Sequence, residues 1–205
     1  MEADHGVTLL SLSPENKWEF LVAMSEAWAW TQARKRFYCD TGGEMNIEDY
    51  LADARLPVKK QIGIIENGAL ISIVTVKAVA EKIFEVHVTS PRGVRFETVL
   101  SALEVVRDGL FHDLGAECVY TTCPVYNGHE HKGSRLLAEA CGMTATGCDW
   151  NDEAADGTQV YWREYAIDRK TFYGRTKSNI RERIQVLPKT FVAGTGRLEE
   201  VESAS

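Results

Sequence analysis

The sequence predicts an α/β fold of the α+β kind, with helices packed on a mixed, largely antiparallel sheet. Two observations lead to this prediction. QIGIIENGALISIVTV places Asn-Gly between two β-rich runs, the strongest short-range signal for a two-residue hairpin. In FEVHVTSPRGVRFETVLSAL, a strand pattern then passes directly into an amphipathic helix pattern. The element order along the chain is β-α-α-β-β-β-α-β-α-β-β, in one domain spanning residues 1–168.

The first part of the chain is predicted to be a short strand followed by two helices. The strand is expected at residues 7–12, and Ser13-Pro14-Glu15 then reads as an N-cap, a proline at the first helical position and an acid in the first turn. We expect the first helix to continue to about Phe37, and a second short helix at residues 47–54. The first helix is apolar over a wide arc, which predicts that part of it is deeply buried or lines a groove.

The later elements follow the same reasoning. After the hairpin, a third strand of the run is expected at residues 83–89, and apolar residues at helical spacing predict a long helix over residues 96–114, ended by Gly115. ECVYTTCPV reads as a strand, residues 134–141 as a short helix closed by Gly142, and TATGCDW with VYWREYAI as a last strand pair. After Asp168 the apolar pattern thins, so residues 169–205 are predicted to be a basic extension with an acidic, disordered end.

Composition limits the class of protein. Hydrophobic residues make up 44% and charged residues 26% of the 205 positions, as in ordinary soluble domains. No apolar run approaches the roughly 20 residues of a membrane span. The N-terminus has neither the basic start nor the apolar stretch of a secretory signal, so we expect a cytoplasmic protein. The five cysteines have no zinc-site spacing and are expected to be free thiols.

Charge is unevenly distributed along the chain. The net charge is -7, yet residues 169–183 carry six basic residues against the single acid Glu182. This asymmetry predicts either a solvated basic face or a contact surface for nucleic acid or another acidic partner.

Candidate catalytic residues lie on the strand FEVHVTS. Strand alternation places Glu85, His87 and Thr89 on one face, with the two titratable groups roughly 6–7 Å apart along the strand. Histidine titrates in the range that general base catalysis requires. The alternative is that Glu85 and His87 are hydrogen-bonded to each other for stability.

The turn after this strand, Ser-Pro-Arg-Gly, is a candidate phosphate site. Arg92 and Gly93 would offer charge and freely approachable backbone, and the following helix would offer its N-terminus to an anion. Arg95 is expected to obstruct such a backbone cradle, and Glu97 adds a like charge near any phosphate. The alternative is an ordinary connection between a strand and a helix.

A third segment, CPVYNGHEHKGSRLLAEACGM, places Asn127 after a strand and ahead of a helix that ends in Gly142-Met143. His129-Glu130-His131 within it suggests a metal, but no third and fourth ligands are evident nearby, so we expect a solvated loop and no metal.

The element order, the turn and the Asn127 segment together resemble the GNAT superfamily of N-acetyltransferases over roughly residues 7–168. The resemblance implies acetyl-CoA or another acyl-CoA as co-substrate, lying between the fourth and fifth strands. The residues it implies for cofactor binding are Val88, Thr89, Arg92, Gly93, Val94, Arg95, Phe96 and Asn127. It implies Glu85 or His87 as the general base. The usual tyrosine acid is missing near Leu136 and Leu137, and Tyr126 is the substitute that the resemblance suggests.

Several functions remain open from the sequence. The first is N-acyl transfer to a small-molecule or protein amine. The second is a catalytically degenerate GNAT-like binding or assembly protein of a bacteriophage, and a variant of it is a phage enzyme that modifies DNA bases with the help of the basic segment. A homodimer is the assembly expected of the folded domain.

Overall fold

The computed structural model describes residues 7–32, 46–126, 129–153, 157, 159–176, 189–191 and 198–200. Its helices are α1 (Lys17–Gln32), α2 (Ile47–Ala54), α3 (Phe96–His112), α4 (Lys132–Ala140) and α5 (Arg169–Thr176). Its strands are β1 (Val7–Leu12), β2 (Lys59–Glu66), β3 (Ala69–Ala80), β4 (Ile83–Thr89), β5 (Cys118–Tyr126), β6 (His129–Glu130), β7 (Thr144–Glu153), β8 (Gln159–Asp168), β9 (Lys189–Phe191) and β10 (Leu198–Glu200).

One mixed sheet organises the molecule, in the order β1-β2-β3-β4-β5-β8-β7, with β6 paired to β5. All neighbouring strands run antiparallel except β4 and β5, which are parallel. Strands β9 and β10 form a separate two-stranded sheet. The predicted fold class, a mixed and largely antiparallel sheet with helices packed on it, is therefore confirmed.

The β2–β3 hairpin forms at the predicted Asn-Gly turn. Asn67 has φ 52° and Gly68 has φ 77°. Positive φ at both central residues defines the two-residue turn whose twist matches that of the flanking strands.

The parallel pairing of β4 and β5 is short. Its register contains only Ile83↔Cys118, Phe84↔Val119 and Glu85↔Tyr120. Beyond Glu85 the two strands separate, which leaves a gap between residues 86–89 of β4 and the middle of β5.

Two apolar clusters lie on opposite faces of the sheet. The larger joins the inward residues of β2–β5 to α3, α4 and α5, with Phe111 at its centre. The smaller packs α1 and α2 on the other face, against Leu12 and Ile73. Because side chains alternate along a strand, Glu85 and His87 share the α1–α2 face with Ile73, while Val86 faces α3.

Strand β6 was not predicted from the sequence. His129 pairs with Tyr126 and Glu130 with Val125, and the His131 N–H donates to the Pro124 carbonyl at 2.8 Å. This short segment therefore lies along the edge of β5 that β4 has left, and it closes the far end of the gap.

The chain after Asp168 continues as helix α5. Asp168 Oδ1 accepts a hydrogen bond from the Thr171 N–H at 2.6 Å, and Phe172 stacks on Phe111 with ring centroids 4.2 Å apart. Phe172 is 2% exposed. The predicted boundary at residue 168 thus coincides with the start of a helix that packs on the main core. None of the helices in the described ranges is long and apolar enough to cross a membrane.

Candidate active site

A cavity of about 660 Å³ passes through the gap between β4 and β5. On the α3–α4 side it is lined by Gly93, Val94, Phe96, Leu137 and Ala138. On the α1–α2 side it is lined by Tyr50, Asp53, Gln61, Glu85 and His87, with Trp150 and Trp162 from β7 and β8. A ligand in the gap would therefore contact both faces of the sheet, since Val88, Thr89 and Pro124 line the passage itself.

The turn between β4 and α3 forms one end of the cavity. Ser90 is held by Ser72, a buried β3 residue whose hydroxyl lies 2.6 Å from the Ser90 hydroxyl. Gly93 has φ +87°, a conformation that side-chain-bearing residues rarely adopt, and a Cβ built there would meet no atom within 4 Å. The space beside this glycine is open, as a cradle for a diphosphate requires.

The N-terminus of α3 carries no side-chain cap. Arg95 occupies the N-cap position without a capping hydrogen bond. The first N–H groups of a helix have no partner within the helix, so those of Phe96 and Glu97 can donate hydrogen bonds to an anion.

The guanidinium of Arg95, the residue expected to obstruct the cradle, is directed away from the turn. Its guanidinium pairs with Glu66 at the end of β2, and Thr98 Oγ1 donates to the same carboxylate at 3.1 Å. The carboxylate, whose side chain is 15% exposed, attracts Arg95 away from the turn. Arg95 and the exposed Arg92 are not among the residues that line the described cavity, so any contact of their guanidinium groups with a phosphate stays a prediction.

Glu85 and His87 contact each other on the face that sequence alternation predicts. Glu85 Oε1 lies 2.9 Å from His87 Nε2, and Glu85 Oε2 lies 3.3 Å from Lys77 Nζ. Glu85 has a 14% exposed side chain, against 41% for each partner.

The environment of Glu85 keeps it ionised. Burial alone would raise its pKa, but the hydrogen bond and charge of His87, with the charge of Lys77, lower the pKa to about 2. The carboxylate is therefore a hydrogen-bond acceptor only, and His87 donates a hydrogen bond to it through Nε2–H. The His87 side chain also lines the cavity, and in a neutral imidazole with this tautomer Nδ1 is the acceptor nitrogen.

The helix after the Asn127 segment begins at Lys132, two residues earlier than predicted. Asn127 lies outside the described residues, as does the side chain of Tyr126, so the roles suggested for them stay predictions. The N-cap of α4 is His131, whose Nδ1 accepts the Ser134 N–H at 3.3 Å and lies 2.9 Å from Ser134 Oγ. Both residues line the cavity, and sequence reasoning missed them. Histidine is not a residue type typical of N-caps, so no signal in the sequence indicated this role of His131.

Glu130 is engaged in a network around β8. It pairs with Arg163, accepts the Tyr165 hydroxyl at 3.0 Å and lies 3.5 Å from Arg135 Nε. Arg163 also pairs with Asp149 at 2.9 Å, which links Glu130 to β7 through β8. Glu130 and His131 are thus taken up by protein contacts, and no group of potential metal ligands occurs in the described part of the chain.

Of the basic segment 169–183, the structure describes only the part within α5. The Arg169 guanidinium lies 5.7 Å from the ring centre of Tyr173, one turn further along the same helix. Lys177, Arg181 and Arg183 lie outside the described residues, and a nucleic-acid or acidic partner stays a prediction.

The thiols of the described residues are free. Cys118, Cys123, Cys141 and Cys148 form no disulfide, while Cys39 lies outside the described residues. Burial raises the pKa of Cys123 and of Cys141 to about 12, so both remain protonated and inert at neutral pH.

Comparison with known proteins supports the fold. No family model matches the sequence, and no curated protein matches it significantly. Solved structures do match, and they are GNAT-type acetyltransferases at low sequence identity. A mutant spermidine N-acetyltransferase from Vibrio cholerae has a TM-score of 0.63 and 14% identity, with 83% of this chain and 98% of that chain covered.

Two further structures show the same similarity. A T. thermophilus protein assigned as an acetyltransferase has a TM-score of 0.61 and 17% identity over 88% of this chain and 96% of that chain. A protein assigned as a phosphinothricin N-acetyltransferase has a TM-score of 0.58 and 18% identity, covering 80% of this chain and 98% of that chain. The chain therefore has the fold of GNAT-type acetyltransferases.

Proposed function

We propose that this protein is an N-acyltransferase that moves an acyl group, in the simplest case acetyl, from acyl-CoA to an amine. The observation that carries the proposal is the cavity through the β4–β5 gap, which joins an uncapped helix N-terminus on one face to the Glu85–His87 pair on the other. The residues present fit the co-substrate: the open space at Gly93 and the N-terminus of α3 would hold a diphosphate. The pantetheine arm would then lie beside Val88 and Thr89.

The gap would bring the two reactants together. Beyond Glu85 the edge of β4 has no β5 partner, so its backbone groups can bind the thioester arm instead. A strand N–H in this stretch would stabilise the oxyanion that forms when the amine adds to the thioester carbonyl. Holding the amine and the thioester in one cavity supplies much of the rate acceleration in such a transfer.

His87 is the proposed general base. Its Nδ1 would take the proton from the attacking amine, while Nε2–H remains hydrogen-bonded to Glu85. Glu85 would orient the imidazole and stabilise the imidazolium, because a carboxylate whose pKa is about 2 is itself a weak proton acceptor.

Collapse of the tetrahedral adduct breaks the C–S bond and leaves a thiolate, which needs a proton. Ala138 of α4 lines the cavity, but its methyl side chain cannot supply this proton. The Ser134 hydroxyl of α4 lies at the cavity, 2.9 Å from His131 Nδ1. We propose Tyr126 as the source of that proton, while the Ser134 hydroxyl would donate a hydrogen bond that stabilises the thiolate.

The remaining parts of the proposal concern the acceptor, the oligomeric state and the cellular location. Structural neighbours include an enzyme acting on spermidine and a dodecameric form of that enzyme, which supports an amine acceptor and a homo-oligomer such as a dimer. A cytoplasmic location is proposed on the sequence grounds given above. A phage assembly role and DNA-base modification remain the alternative proposals.

Calorimetric titration with acetyl-CoA tests the function directly. We expect micromolar binding by the wild type and transfer of the acetyl group to an amine, detected as release of CoA thiol. A companion Arg92→Glu variant tests the predicted charge of the turn, and binding should weaken. Failure of the wild type to bind acetyl-CoA would overturn the enzyme and favour the assembly role. DNA retention that disappears with salt would favour base modification.

A further inference from the structure

We infer that the acceptor amine carries, at its other end, an oxygen that accepts hydrogen bonds, and that Gln61 and Lys59 of β2 bind this oxygen. This inference rests on the proposed function and names the substrate class of the same site. We call Gln61 and Lys59 the oxygen subsite. Both line the α1–α2 side of the cavity.

Gln61 is a buried polar side chain with an unused donor. It is 5% exposed, and its Oε1 accepts the Thr75 hydroxyl at 2.6 Å. Its Nε2 makes no hydrogen bond with any described residue, whereas every fully buried side-chain nitrogen or oxygen in the described ranges has a partner. The amide nitrogen must therefore be the part of Gln61 that remains open to the cavity.

The orientation of the amide follows from Thr75. The Thr75 hydroxyl has Gln61 Oε1 as its acceptor, and it makes no other hydrogen bond in the described residues. Rotating the amide by half a turn would place a donor against this hydroxyl and leave its hydrogen unpaired. Nε2, a donor, is consequently the group that faces the ligand.

Lys59 adds positive charge beside this donor. It lies two residues from Gln61 on the same strand, and hence on the same face. Lys59 Nζ contacts Asp53 Oδ2 at 2.5 Å with its side chain 15% exposed. One of three ammonium hydrogens is used by Asp53, so the others remain for a ligand oxygen.

The oxygen subsite lies near the proposed general base in the sheet. Gln61 pairs with Thr75, which pairs with His87, so the three residues form one row across β2, β3 and β4. Neighbouring strands lie about 4.8 Å apart, which puts the Cα atoms of Gln61 and His87 roughly 10 Å apart. An amine at His87 can therefore extend along the row and place its other end at Gln61.

The donors select among acceptor amines. A cationic end would face Nε2–H and the Lys59 ammonium, both donors, and would be disfavoured, because the nearby Asp53 carboxylate is already paired with Lys59. An alkyl end would desolvate Nε2 without giving it a partner, which is costly for a buried polar group. A carbonyl, carboxylate or hydroxyl oxygen satisfies both groups.

The test compares matched acceptors. Linear ω-amino amides of three to six carbons are paired with n-alkylamines of equal size, and kcat/KM is measured by CoA thiol release. We expect the best amide to exceed its alkylamine by about tenfold, the effect of one or two good hydrogen bonds. ω-Amino acids and amino alcohols identify which oxygen is preferred, and α,ω-diamines report on rejection of a cation.

Two variants of Gln61 make the test specific. Gln61→Leu removes the donor, and the amide-to-alkylamine ratio should fall to near one. Gln61→Glu keeps the size and still accepts the Thr75 hydroxyl, but it should reverse the preference towards diamines. Gln159→Glu, the same change at an exposed β8 position, should leave all ratios unchanged. Ratios that Gln61→Glu leaves unaltered would overturn the subsite.

Equilibrium binding separates this inference from the proposed function. If acetyl-CoA does not bind and no amine is acetylated, the proposed function fails, and calorimetric titration with the amides and alkylamines still decides the subsite. The subsite is supported if wild type binds the amide more tightly than the matched alkylamine and Gln61→Leu abolishes this difference. Equal affinity of wild type for the two members of each pair would contradict the subsite.

Discussion

Glu85 and His87 are joined by a 2.9 Å hydrogen bond on the face of β4 that looks towards α1 and α2, at the point where β4 and β5 separate. In the proposed mechanism, His87 Nε2 donates this bond and Nδ1 accepts the proton of the amine. Acceptor deprotonation is therefore expected to depend on His87 more than on Glu85.

His87→Gln is predicted to lower kcat by about 10²–10⁴, the usual contribution of a general base. Glu85→Gln should lower kcat less, because the base remains although its tautomer is no longer fixed. A Glu85→Gln loss that exceeds the His87→Gln loss would identify the carboxylate as the base instead.

The low pKa of Glu85 predicts a pH dependence of stability. Its pKa is about 2 in the folded protein against 4.5 for the free side chain. The stabilisation is therefore complete above pH 4.5 and is lost as the pH falls towards 2. Because its partners are 41% exposed, we expect a loss of only about 1–3 kcal/mol.

Urea unfolding at pH 7 and pH 3 measures this loss. As the pH is lowered from 7 to 3, the free energy of unfolding should decrease less in Glu85→Gln than in wild type, since the variant has no carboxyl group at position 85 to protonate. Glu81→Gln, at an exposed carboxylate, should follow wild type. Parallel curves for wild type and Glu85→Gln would show that the pair adds no stability.

The turn at Gly93 gives a prediction with a built-in control. Gly93→Ala forces a side chain into φ +87°, at a cost of about 1–2 kcal/mol, and should weaken acetyl-CoA binding as the turn distorts. Gly68→Ala imposes similar strain at φ +77°, in the hairpin outside the described cavity lining. Calorimetry should show weaker binding in Gly93→Ala alone, and equal losses in both variants would mean that the turn has no special role.

Local signals were sufficient to predict part of this molecule. The Asn67-Gly68 turn and the alternation that places Glu85 beside His87 depend on residues close together in the chain, so the sequence alone predicts them. Strand β6 has two residues, too short for any periodic pattern. Helix α5 is mostly polar, and two aromatic residues dock it: Phe172 is buried, and the Tyr173 hydroxyl donates to the Phe111 carbonyl.

The features that make the site depend on long-range pairing. Gln61 lies in one row with His87 only because β2, β3 and β4 pair in one register. None of the three strands encodes this register by itself. The direction of Arg95 depends on Glu66, a residue 29 positions earlier in the chain. The β4–β5 gap is likewise a property of the sheet, because no pattern within either strand indicates where their pairing stops.

The contact between Phe172 and Phe111 predicts that residues 169–176 are part of the folded domain. Phe172 is 2% exposed, and removing its ring leaves a cavity against Phe111 and the overlying Arg107, whose guanidinium lies 5.4 Å from the ring centre. Phe172→Ala should therefore lower the free energy of unfolding by about 3–5 kcal/mol. Trp18→Ala, at a 76% exposed aromatic of α1, should change it by no more than about 0.5 kcal/mol. Urea unfolding of both variants distinguishes the two cases: if Phe172→Ala is as mild as Trp18→Ala, α5 does not stabilise the domain, and the boundary at residue 168 is the correct one.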